Sequence, residues 1–216
     1  MPQIKVNQEV REALDHDHPV VGLESTIFSH LGLPSPHNQE ALDRCTSAIR
    51  AHGAVPAVTA ILDGVARVGL EDHEIERILG PAKKTAERDI AVATALRWPV
   101  GATTVSASLA LCAQVGVPVF ATGGIGGVHH GSETTGDISS DLGAIAMHTV
   151  LTVCAGAKAF LDIPKTLEFL ETESVPVLGY QTDEFPMFYA RSAGVPVPMR
   201  VESPEEVAAV LAQRIR

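Results

Sequence analysis

The chain has 216 residues, and one domain per roughly 150 residues predicts a single domain. Apolar residues make up 45%, and Gly 18 with Pro 14 stays below the roughly 25–30% typical of low-complexity chains, so a packed core is expected. Lys+Arg 16 against Asp+Glu 26 gives a net charge of −10, which argues against a nucleic-acid polymer as partner; a small anion, needing only local positive charge, remains open.

In chain order, Val20–Leu23 is a short apolar run, and Asn38 opens a helix with Leu42, Cys45 and Ile49 at helical spacing, stopped by Gly53. Val55 to Leu62 is rich in β-formers, Asp63-Gly64 is a hairpin turn, and Val65 to Leu70 returns. Glu71 to Leu79 predicts a helix through Ile75, Ile78 and Leu79, followed by helices over Glu87–Trp98 and Thr104–Val115. A strand over Val117–Thr122, a helix over Asp141–His148 and a wholly apolar strand over Val150–Ala157 come next. Ile163, Leu167 and Leu170 mark a helix, Val175–Tyr180 a strand, and Ser203-Pro204 with Glu206 a capping box opening the last helix. This alternation predicts an α/β fold with a mixed, mostly parallel central sheet and helices on both faces, in α/β/α layers. The hairpin supplies the antiparallel excursion.

No charged residue occurs from Trp98 to Val128, but Pro99, Pro118, Gln114 and six glycines divide that stretch into helix, strand and loop, which is unlike a membrane span. The first thirty residues carry Lys5, Glu9, Arg11 and Glu12 and no apolar h-region, so no signal peptide is expected. Cys45, Cys112 and Cys154 are too few and too scattered for a disulfide frame or zinc site; buried free thiols in a reducing, cytoplasmic compartment are the expectation.

Ligands of parallel sheets bind at the carboxyl ends of strands, which selects the loops to inspect. Lys158 closes the run Val150–Ala157, where apolar walls would favour the neutral amine that Schiff-base chemistry needs; the alternative is a lysine reaching out to Asp162 or Glu168. Ala121-Thr-Gly-Gly-Ile-Gly-Gly-Val-His-His-Gly131 follows a strand and reads either as an anion cradle or as a tightly packed turn. Asp137-Ile-Ser-Ser-Asp141 caps a helix or helps bind a hard divalent cation. Glu24 follows an apolar strand, which suggests acid/base work. Ser25 with His30 lacks the G-x-S-x-G elbow of a serine hydrolase, and His16-Asp17-His18 is more simply an exposed turn.

Leu-Glu-Ser-Thr-Ile (23–27), Pro-Ala-Val-Thr-Ala-Ile-Leu-Asp-Gly (56–64), Ala-Thr-Gly-Gly-Ile-Gly-Gly-Val-His (121–129), Asp-Ile-Ser (137–139), Cys-Ala-Gly-Ala-Lys (154–158) and Thr-Asp-Glu-Phe-Pro (182–186) resemble, in order, the pseudouridine-5'-phosphate glycosidase family. The resemblance implies reversible cleavage of the C–C glycosidic bond of pseudouridine 5'-phosphate to uracil and ribose 5-phosphate, with one divalent metal, typically Mn2+, in a homotrimer. By motif, Lys158 would be the nucleophile, Glu24 the acid that opens the ribose, and Asp137 the metal ligand. Lys84, Val105, His129, Ser139, Ser140 and Asp141 would contact substrate. A C–C bond has no leaving oxygen to protonate, so one lysine and one glutamate replace the two acids of an ordinary glycosidase. His130 stands where the family pattern has arginine, Ser140 where alanine is common, and Lys83-Lys84-Thr85 is a loose match that leaves Lys83 and Lys84 as alternatives. Family members also continue past the equivalent of Arg216 with a segment that contributes an asparagine, so the expectation is one domain of this type without that segment. A Schiff-base aldolase for sugar phosphates and a non-catalytic sugar-phosphate-binding protein are the alternatives.

Overall fold

The structure is a computed structural model that describes residues 3–214. The chain forms two compact units that divide after Ala121.

In the first unit the order is β1 (Ile4–Val6), α1 (Gln8–Asp15), β2 (Val20–Leu23), α2 (His37–Ala51), β3 (Val55–Leu62) and β4 (Val65–Val68). Then follow α3 (Asp72–Ile78), β5 (Lys83–Thr85), a 3-10 turn (Glu87–Asp89), α4 (Ile90–Ala95), β6 (Val100–Thr103), α5 (Val105–Val115) and β7 (Val119–Ala121). Asp63 and Gly64 both take positive φ, 51° and 77°, the backbone that a two-residue hairpin between right-twisted strands requires, and β3 and β4 pair antiparallel across it. β2 pairs parallel with both β3 and β7, β1 with β4, and β5 with β6. The sheet is mixed and mostly parallel, as the alternation predicts.

β3 is the organising strand. Its residues 55–58 pair with β2, and residues 60–62 pair antiparallel with β6. Because β4 occupies the other edge of residues 59–62, β2 and β6 share one edge of β3 and run toward each other along it. Alternation sends Val58, Ala60 and Leu62 to one face, where they meet Leu42 of α2 and Ile78 of α3. Thr59 faces the opposite way and bonds Ser108 of α5, while a Cβ on Gly22 would sit 2.5 Å from Cys112 Sγ of the same helix. Helices therefore cover both faces, and β3 reads as a continuous apolar run because both of its faces are buried.

β1, α1, β5 and β6 are absent from the sequence reading, and two further elements differ from it. The helix expected over Glu87–Trp98 is a 3-10 turn, in which the Asp89 carboxylate accepts from the Ala86 amide, followed by a helix ending at Ala95. In α2 the buried positions are Asn38 and Leu42, and Cys45 is exposed. α5 is buried from Val105 through Cys112, which explains the uncharged stretch: the helix is enclosed by protein. Among the described residues no helix is long and apolar enough to cross a membrane.

The second unit carries α6 (Ser132–Thr135), α7 (Ser140–Met147), β8 (Leu151–Val153), α8 (Ile163–Thr172), β9 (Leu178–Tyr180), β10 (Met199–Val201) and α9 (Pro204–Arg214). β9 and β10 form a parallel pair. The apolar run Val150–Ala157 is a strand only as far as Val153, because Gly156 takes a φ of 78° and turns the chain. The Ser203 cap accepts from the Glu206 amide at 3.3 Å, but the Glu206 carboxylate accepts from Glu202 rather than from Ser203, so the capping box is displaced by one residue.

Candidate active site

In the first unit the head-on approach of β2 and β6 places their carboxyl ends together. The Ser25 and Thr26 amides donate to the Thr103 carbonyl at 3.3 and 3.1 Å. β5 lies parallel to β6 with Thr85 opposite Thr103, and the Thr104 amide donates to the Thr85 carbonyl at 3.0 Å. Glu24, Lys84 and Val105 thus stand at the carboxyl ends of β2 and β5 and at the first position of α5, where ligands of such sheets bind. Glu24 is only 9% exposed, and an acidic side chain is rarely so enclosed without a purpose.

Alternation separates the two candidate lysines. Lys83 holds its ammonium 4.6 Å from the centre of the Trp98 ring, a cation–π contact. Lys84, one residue on, projects from the other face of β5 and is exposed. Val105 is 1% exposed, so its side chain belongs to the core, and a contact there would come from the helix N-terminus. Ser25 is fully buried and exchanges hydrogen bonds with Thr103, while His30 Nδ1 accepts from the Ala82 amide at 3.1 Å. The two do not form a hydrolase pair.

In the second unit the glycine-rich loop is a packed turn. The Ile125 amide donates to Gly156, Gly126 to the Asp141 carboxylate at 2.9 Å, Val128 to Thr166 Oγ1 at 3.0 Å, and His129 to the Asp137 carbonyl at 3.0 Å. Those four N–H groups are committed to protein acceptors and cannot cradle an anion, which corrects the cradle reading of this segment for them. A Cβ on Gly126 would run into Ser139, so that glycine is required by close packing.

Lys158 is fixed by the same turn. Its amide donates to the Ile125 carbonyl at 3.2 Å, its carbonyl accepts from Leu161 at 3.1 Å, and Ala157 bridges to Ile125. The side chain is half-buried, and it stands five residues past the end of β8 rather than on the strand. Asp162, one of its alternative partners, instead caps α8: the Lys165 amide, and then the Lys165 ammonium at 3.4 Å, hold that carboxyl below its ordinary range.

Around the turn, Asp141 is 5% exposed, Ser140 opens α7, and Ser139 accepts from the Asp141 amide as its cap. Asp137 is exposed, with an oxygen 3.8 Å from His129 Nδ1. Among the described residues no group of three or more His, Cys, Asp or Glu could enclose a metal. One carboxylate still suits a hard cation that keeps most of its waters. The acidic turn Asp137–Asp141 was legible from its residue types. The hydroxyl cluster of Ser25, Thr59, Thr103 and Ser108 was not, because isolated Ser and Thr scattered over apolar strands, a strand end and a helix carry no pattern.

Comparison with known proteins adds an independent line. A family model described as indigoidine synthase A like protein matches residues 9–216. The chain belongs to this family. Proteins similar to this chain include ones named pseudouridine-5'-phosphate glycosidase from Sorangium cellulosum (strain So ce56), 51% identical over 212 residues, and from Solibacter usitatus (strain Ellin6076), 50% identical over 210. The alignments cover 97% and 96% of this chain and 66% and 70% of those proteins, so the chain spans about two thirds of the length of the curated relatives it matches. Among solved structures, the prealnumycin C-glycosynthase AlnA in complex with ribulose 5-phosphate is 38% identical with a TM-score of 0.90, over 98% of this chain and 68% of that one. An indigoidine synthase A-like protein from Thermotoga maritima is 36% identical with a TM-score of 0.88, over 99% and 70%. These matches support the mixed α/β fold of the family.

Proposed function

We propose that this chain acts on a C-glycosidic sugar phosphate, and that the substrate is pseudouridine 5'-phosphate, cleaved reversibly to uracil and ribose 5-phosphate. The observation that carries the reading is Glu24: a carboxylate enclosed at the junction of two strand ends, with Lys84 on a strand ending at the same junction. The names of the relatives, and the sugar phosphate bound by the C-glycosynthase, support the same substrate class.

In this reading Glu24 donates a proton to the ring oxygen of the ribose as the Lys158 amine attacks C1'. The C1'–O4' bond breaks and a C1'–N bond forms. The nitrogen gives up a proton to the carboxylate that Glu24 has become, and its lone pair then makes an imine as the C1'–C5 bonding pair leaves with the base, which takes that proton up at C5. Water hydrolyses the imine, returning the amine and ribose 5-phosphate. The nitrogen lone pair supplies the push that expels carbon as the imine forms, which is why a lysine is needed. Asp137 would hold the divalent cation, Mn2+ by family resemblance, which when bound supplies positive charge for an anionic substrate, and His129 would contact the substrate. Lys84, being exposed and turned away from Trp98, is the better phosphate contact than Lys83. The α5 N-terminus at Val105, with helix amides lacking intrahelical partners, would assist, and Ser139, Ser140 and Asp141 would contact the substrate as the family pattern has them. A homotrimer in the cytoplasm belongs to the same proposal.

The test is uracil release from pseudouridine 5'-phosphate with Mn2+, together with mass spectrometry after borohydride reduction in the presence of ribose 5-phosphate. Uracil release and an adduct on Lys158, both lost in Lys158→Ala, are expected. An adduct on another lysine refutes the residue assignment. Trapping with triose phosphates but not with ribose 5-phosphate would favour the aldolase, and binding without turnover would favour the non-catalytic alternative.

A further inference from the structure

We infer that Thr59 and the buried hydroxyls around it are the positioning device for Glu24; the inference rests on the proposed acid role of that carboxylate.

Ser25, Thr59, Thr103 and Ser108 are each 0% exposed. Burying a hydroxyl is unfavourable unless it is paired, and here each has partners. The Ser108 hydroxyl donates to the Thr104 carbonyl at 2.8 Å, and the Thr103 hydroxyl donates to the Thr59 carbonyl at 2.8 Å. Ser25 Oγ accepts from the Thr103 amide at 2.9 Å, which leaves its proton for Thr103 Oγ1 at 3.1 Å. With those three protons assigned, the single Thr59 proton is shared among three oxygens, of which the Leu23 carbonyl can only accept. Thr59 Oγ1 is 3.1 Å from the Leu23 carbonyl and 2.8 Å from both Thr103 Oγ1 and Ser108 Oγ.

The cluster grips the main chain on both sides of Glu24: Thr59 reaches the carbonyl of Leu23, and Thr103 holds Ser25 through amide, carbonyl and hydroxyl. Strands that meet head-on cannot satisfy each other's terminal backbone groups by sheet pairing. The Ser25 and Thr26 amides satisfy the Thr103 carbonyl, the hydroxyls take up the Leu23 carbonyl and the Thr103 amide, and together they remove the freedom of residue 24 to swing. A general acid must stand within a few tenths of an ångström of its target, and a displacement of about 1 Å can cost about 100-fold in rate.

The experiment compares Thr59→Val, which keeps the shape and removes the hydroxyl, with Thr59→Ser, which restores it. Asn38→Ala is the control, since it removes two other buried hydrogen bonds of the same unit, to the Phe28 and Leu79 carbonyls. The expected result is a kcat for uracil release lowered about 10–100-fold in Thr59→Val with KM within about twofold, near wild-type kcat in Thr59→Ser, and a lowered Tm without a kcat effect in Asn38→Ala. Ser25→Ala, which strips one hydroxyl from the same grip, is expected to lower kcat as well and serves if Thr59→Val does not fold. Hydrogen exchange at the Ser25 and Thr26 amides, faster in Thr59→Val than in Thr59→Ser, reads the grip without any turnover. Thr59→Val or Ser25→Ala with wild-type kcat, or unchanged exchange at those amides, overturns the inference. Wild-type protein that releases no uracil defeats only the proposed reaction, since the exchange measurement still decides the grip.

Discussion

Gly156 is where the backbone that carries Lys158 is most exposed to perturbation, and Gly156→Ala separates two physical costs. The residue has a φ of 78°, in the left-handed region where an L side chain costs about 1–2 kcal/mol. A Cβ there would also overlap the Pro186 carbonyl oxygen and lie 2.6 Å from its carbon, 3.2 Å from Phe185. The obstacle is main chain, so it cannot rotate away. It would have to shift by an ångström or so, disturbing the Gly156–Met187 bridge and the bond from Phe188 to the Ala155 carbonyl. Overpacking of this kind costs about 1–3 kcal/mol, giving about 2–5 kcal/mol in all. Gly194→Ala isolates the first cost, because Gly194 has a similar φ of 69° and nothing within 4 Å of a Cβ. At about 2–4 °C per kcal/mol for a chain of this size, thermal melts should put Gly156→Ala about 4–20 °C below wild type and Gly194→Ala about 2–8 °C below. In hydrogen exchange, the Ile125 amide, bonded to the Gly156 carbonyl, should lose protection only in the first variant. Equal losses in the two variants would refute the steric argument and leave conformational strain as the whole effect.

Two further outcomes follow from buried ionisable groups. Glu74 is 4% exposed between Arg67 at 2.9 Å and Lys5 at 3.8 Å. Burial pushes its carboxyl up, but Arg67, the Glu71 amide and the Lys5 charge together outweigh that and hold it below its usual 4.5. Its contribution is therefore complete above about pH 4.5 and is lost as pH falls through the lower folded-state value. Glu74→Gln should cost about 3 kcal/mol at pH 7, by urea unfolding, and the gap to wild type should narrow below pH 4.5; a gap that does not depend on pH would contradict the assignment. Burial raises the Cys112 thiol to about 12, while Cys45 is exposed. Alkylation at pH 8 should therefore label Cys45 in the native protein and Cys112 only in denaturant, with peptide mapping as the readout.

The sequence by itself determined the elements whose causes are local. Asp63-Gly64 specifies a turn with two positive φ values, and the flanking β-rich runs supply the strands, so β3 matches its predicted bounds and β4 ends two residues before the predicted Leu70. β6 escaped notice because Val100-Gly-Ala-Thr103 has too little side chain to show a period; the edge of β3 makes it a strand. Lys158 was legible as a residue to watch, but its place was misread: the apolar run continues to Ala157, whereas Gly156 and its contact with Pro186 end the extended backbone early. The glycine-rich loop was ambiguous for a similar reason, since whether an amide is free for a ligand depends on acceptors such as Asp141 and Thr166, which lie 15 and 38 residues away. Tertiary structure alone decided that β2 and β6 meet head-on, and with that the hydroxyl cluster beneath Glu24. Their meeting depends on which strands share an edge of β3, a choice made by long-range pairing and invisible to any window of sequence.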